Sequence, residues 1–208
     1  VGRARLARGA AFAEASGTLA LAGERAFQAQ GRIERLDPAA FAKLPPGELN
    51  ATFTAKGTLA KGAAGEAVLE IAKSRFAGMA AEGRVALATD GARLSRSEAD
   101  VTLGATRLRA KGSLGRPGDT LDVSFASPDL GPIGRALGHA TGGSVDLEAR
   151  VSGTFAALSG RASVEAKGLL LPGDLRLAAA SGRVELGAGE AGAANGQLVL
   201  QGLARRGE

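Results

Sequence analysis

The chain has no cysteine, tryptophan or tyrosine, and one methionine and one histidine among its 208 residues. Without cysteine there are no disulfides, thiolate nucleophiles or cysteine metal ligands. Exported chains also do without disulfides, so this absence does not fix a compartment. Seven phenylalanines are the only aromatics, so the apolar surface is built of Ala, Leu and Val rather than of rigid ring anchors. The single Met79 leaves no flexible Met-rich patch. No run approaches the roughly 18 to 20 apolar residues of a membrane span, and residues 1–8, VGRARLAR, lack a signal-peptide core. The chain begins at Val1, and the expectation is a piece of a longer protein whose export signal or membrane anchor lies outside it.

The balance of charge excludes another class. Net charge is +5, but the 26 Lys and Arg are interspersed with 21 acidic residues. A nucleic-acid groove concentrates cations on one surface, with aromatics where single strands stack, and neither feature is present. These charges read as a solvated face.

What the chain does have is a strand pattern that occurs twice, about 96 residues apart. GELNATFTAKGTL at 47–59 lines up with GSVDLEARVSGTF at 143–155, and both alternate apolar or small residues with polar ones. Period two is the signature of a half-buried strand, with one apolar and one wet face. Gly65 is echoed by Gly160, and GRVAL at 83–87 by GRVEL at 182–186. The first copy is preceded by LDPAAFAKLPPGE and the second by PDLGPIGRALGHATGG, each with a capping Asp (Asp37, Asp129) suited to a short helix. Further alternating runs begin at Ala15, Phe27, Glu66, Ala99, Leu108, Leu121, Arg161, Leu175 and Gln197, with turns at 62–65, 90–91, 116–119, 172–174 and 187–196.

This spacing predicts an all-β fold of roughly 12 to 14 short antiparallel strands. Because the pattern repeats, the expected architecture is one long sheet folded into an open hydrophobic groove, a β-taco, rather than a closed barrel. Helical plugs are expected near 37–44 and 129–138. The two copies divide the chain into groove units at 1–112 and 113–208, as one continuous array.

Chemistry is sparse. His139 lies in a glycine-rich segment with no second histidine or cysteine to support it. The TGGS at 141–144 opens a strand rather than a helix and carries no lysine in phosphate-loop spacing. Asp146 with Glu148, and Glu66 with Glu70, lie on wet faces, where solvated carboxylates are the ordinary case. The expectation is a non-enzyme with no cofactor and no metal.

The strand, Asp-Leu plug, Gly-Gly or Pro-Gly-Glu entry and Gly-Thr exit (Asp129-Leu130, Gly142-Gly143, Gly153-Thr154; more loosely Leu36-Asp37, Gly47, Gly57-Thr58) resemble the repeat region of the TamB family, within the AsmA-like superfamily of the Gram-negative cell envelope. That resemblance covers roughly residues 15–203. It implies an inner-membrane-anchored, periplasmic β-groove for lipid transport. It also implies a role in outer membrane biogenesis and protein secretion, with an Omp85-type outer-membrane partner reached through regions outside this chain. The expected cargo is phospholipid, with no nucleic-acid partner. The expected groove lining is Leu49, Phe53, Leu59, Val85, Leu87, Val101, Leu103, Val123, Phe125, Val145, Leu147, Val151, Phe155, Val164, Leu175, Leu177, Val184 and Leu186. The alternatives are a β-repeat scaffold with a sealed core and a chaperone-like module that binds unfolded strands at its edges.

Overall fold

A computed structural model describes residues 2–8, 11–60, 64–173, 175–187 and 194–205. The described residues form thirteen strands: β1 (Gly2–Arg8), β2 (Ala11–Leu19), β3 (Ala26–Leu36), β4 (Gly47–Thr58), β5 (Ala64–Phe76), β6 (Met79–Asp90), β7 (Leu94–Leu103), β8 (Thr106–Leu114), β9 (Thr120–Ser127), β10 (Gly142–Thr154), β11 (Ala157–Leu171), β12 (Leu175–Leu186) and β13 (Ala194–Arg205). They make one open sheet in strict chain order, each strand antiparallel to the next. The all-β groove architecture expected from the alternation is the one observed.

The strands are longer than the sequence suggested, reaching 15 residues in β11. Leu175–Ala179 and 182–186, read as two strands, are one continuous β12. The alternation changes phase near Ala178–Ala180, which imitated a break. Residues 2–8, expected only to lack a signal core, form β1. The plugs are also shorter than expected: a 3-10 turn at Pro38–Ala40, and a six-residue helix α1 at Gly131–Ala136. Residues 62–63, 174 and 188–193 of the expected turns lie outside the described residues, while 64–65, Asp90 and 194–196 belong to strands.

The repeat has a structural counterpart. Residues 47–59 and 143–155 correspond to β4 and β10, Gly65 and Gly160 sit on β5 and β11, and Gly83 and Gly182 on β6 and β12. The period is therefore six strands. The boundary at 112/113 falls inside β8, within a sheet whose pairing continues unbroken.

Among the described residues, no second sheet covers this one. The accessible surface is 13328 Å², against roughly 8,900 Å² for a compact monomer of this mass. Among the described residues, only Ala86, Leu114, Ala166 and Leu177 form a buried apolar core. Stability must come chiefly from strand-to-strand pairing.

Candidate functional site

Directly paired residues share a face of a sheet, so the register can be followed from edge to edge. One row runs Leu6, Ala13, Ile33, Ala51, Ile71, Gly83, Val101, Leu108, Phe125, Leu147, Val164, Gly182, Leu198, crossing all thirteen strands without a polar residue. The next row on the same face, two residues along each strand, runs Ala4, Ala15, Gly31, Phe53, Leu69, Val85, Ala99, Ala110, Val123, Ala149, Ala162, Val184, Gly196. A third contains Leu87, Ser97, Gly112, Leu121, Val151, Gly160 and Leu186. Ser97 is the one polar side chain among those seven.

This stripe is half covered rather than sealed. Phe53, Val123 and Leu147 are partly buried, while Leu69, Leu87, Leu108, Val184 and Leu186 are exposed. The opposite, charged face has a depression lined by Arg109, Asp122, Glu148, Arg150 and Arg161. The apolar side keeps large side chains in reach of a guest.

The register brings together most of the expected lining: Phe53, Val85, Leu87, Val101, Val123, Phe125, Leu147, Val151, Val164, Val184 and Leu186 fall in the three rows. Leu49, Leu103 and Val145 extend them along β4, β7 and β10. The others sit elsewhere. Leu59 follows the end of β4. Phe155 occupies a two-residue turn closed by the Thr154–Ala157 pair and is 58% exposed, beyond the end of β10. Leu175 and Leu177 pair with Leu171 and Leu169, on the far side of Gly168 (φ 58) from the Val164 row. With Leu203, they make a separate aliphatic patch at that end of the sheet.

The opposite face carries a charge ladder: Arg5, Glu14, Arg32, Thr52, Glu70, Arg84, Asp100, Arg109, Ser124, Glu148, Ser163, Arg183, Gln197 are paired in succession. Wherever two charges are adjacent in this row, their signs are opposite. Glu66 and Glu70 hold Lys56 and Arg84, each at 2.8 Å. Asp122 binds Arg150 through both oxygens at 2.5 and 3.0 Å, and Asp100 takes Arg107 and Arg109. Hydrogen bonds from Arg107 and Arg150 hold the Asp100 and Asp122 carboxyls below their ordinary range. Exposed pairs of this kind each add little to stability.

Two polar clusters were not foreseen. Asp119 accepts two bonds from Arg93 (2.8 and 2.6 Å), one from Ser113 Oγ (2.9 Å) and one from Arg116 N (2.9 Å). At 7% exposure, its carboxyl is held down to about 2, chiefly by Arg93. Asn50 N donates to Ser74 Oγ (2.8 Å), Asn50 Nδ2 to Lys73 O (2.9 Å), and Asn50 Oδ1 accepts from Arg35 N (2.9 Å). Asn50 thus stitches the bulged ends of β3 and β5 to β4. An Asn in a strand of Thr and Lys was the available signal; Arg93 gave none.

His139 is exposed in the loop after α1, its backbone N–H donating to Gly134 O (2.8 Å). Among the described residues, no three potential metal ligands cluster, and no helix is long and apolar enough to cross a membrane. No family model, curated protein or solved structure matches this chain.

Proposed function

We propose that this chain is a segment of a lipid conduit, its apolar face shielding phospholipid tails between the inner and outer membranes of a Gram-negative envelope, as its TamB-like grammar suggests. The observation that carries the reading is the uninterrupted thirteen-residue apolar row on a sheet that, among the described residues, has no second layer. A sealed scaffold would bury that row; here Leu108 and Leu198 remain exposed. Exposed strips of this extent are normally covered by a partner or ligand.

The dimensions are compatible. Thirteen strands at about 4.8 Å give a stripe roughly 58 Å long. One leaflet of a bilayer core is about 15 Å deep, so a tail lying across the strands spans three or four of them. Aliphatic side chains without convergent polar groups suit sliding rather than selection of one head group.

Photo-crosslinking in the native envelope tests the reading. A photoreactive residue at Leu147 should capture phospholipid, identified by mass spectrometry, while one at Glu148, on the opposite face, should not. Protein-only crosslinks at Leu147 in functional protein would replace the conduit with the scaffold.

A further inference from the structure

In an antiparallel meander, every connection from an odd to an even strand lies on one rim. The two long loops, after β3 and after β9, therefore share a rim, six strands or about 29 Å apart. Their sequences differ, but they are built alike. In the first, Asp37 Oδ1 accepts from both Ala39 N (3.1 Å) and Gly47 N (3.0 Å), closing the neck over buried Pro38. In the second, Leu130 N donates to Gly143 O (2.8 Å) and Thr141 Oγ1 to Leu130 O (3.1 Å), over buried Gly131 and Gly134. A closed neck holds a loop in one shape. Each then presents large apolar side chains to solvent: Phe41 at 55% and Leu44 at 49% exposure, and Leu137 at 62%. Each also carries an exposed cation close in sequence to them, Lys43 and Arg135.

We propose that these two loops form a membrane-contact ridge, in which Phe41, Leu44 and Leu137 enter the interfacial layer of an anionic bilayer while Lys43 and Arg135 meet its head groups. Apolar tips flanked by cations are the chemistry of interfacial binding, in which buried apolar area and attraction to anionic lipid add. The ridge places the rim of the apolar face alongside a lipid surface.

Sedimentation with vesicles of phosphatidylcholine, with and without phosphatidylglycerol, tests this. The chain should sediment with the anionic vesicles and be released by salt. Replacing Phe41, Leu44 and Leu137 by Ser should weaken binding about tenfold or more. A Leu21→Ser/Phe155→Ser control, at exposed sites on the opposite rim, should leave it unchanged, with circular dichroism confirming that both variants fold. Failure of the native chain to sediment, or equal loss in the control, overturns the ridge. The inference goes beyond the conduit: vesicle binding through these tips, together with a groove that captures no lipid at Leu147, keeps the ridge and removes the conduit.

Discussion

Asp119 concentrates more bonding than its sequence position suggests. Its carboxyl lies near 2 against an ordinary 3.8, because Arg93, Ser113 and the Arg116 amide all stabilise the charged form. A depressed carboxyl contributes fully above the unfolded value and loses that contribution as pH falls through the folded one. Thermal unfolding followed from neutral pH to pH 2 should therefore show a drop in melting temperature between about 4 and 2 that Asp119→Asn makes smaller. The same variant should be less stable at neutral pH. An unchanged acid profile in the variant would mean that the Arg93 clamp does not persist in solution. That Asp119 sits in a turn was legible from RPGD. Arg93, 26 residues away, was not, because register decides which turn meets which strand end. Phe155 failed for a related reason: alternation identifies a face but not the residue at which a strand stops. Its neighbour Thr154 helps form the turn, its Oγ1 accepting from Ala157 N (3.1 Å).

For the strands, period two was readable almost everywhere, which is why the three rows could be anticipated in large part. Phase changes were not. Register shifts at Ile33/Leu36, Glu48/Ala51, Ile71/Ser74 and Gly142/Ser144 insert residues that alternation cannot reveal, because a bulge is a property of two strands together. Glycine position carries part of that information. Gly112 lies on the apolar face with φ 143, and a Cβ there would collide with the Thr120 carbonyl oxygen across the pair. Gly112→Val should destabilise the β8–β9 pairing by about 1–3 kcal/mol, read as a lower urea midpoint. Gly2→Ala is the matched control, because a Cβ at Gly2 meets nothing within 4 Å. Equal midpoints for the two variants would show that the tight approach at Gly112 is not required.

The whole sheet is a linear chain of nearest-neighbour contacts, and linear arrays are least stable at their ends. Backbone amide exchange should show strongest protection in β6, β7 and β8 and a fall toward β1 and β13. Uniform protection across all thirteen strands would require coupling beyond adjacent pairs. The six-strand period was visible in the repeat, whose copies at 47–59 and 143–155 fall on β4 and β10. The charge ladder was not visible, because each of its members is an ordinary polar residue until pairing places them side by side. The unbroken order from β1 to β13 has a consequence for how the molecule is made. No strand waits for a distant segment to be synthesised: each finds its only earlier partner already emerged. Such a chain can acquire structure in the order in which it leaves a ribosome or a translocation pore, with only its newest strand unprotected at any moment.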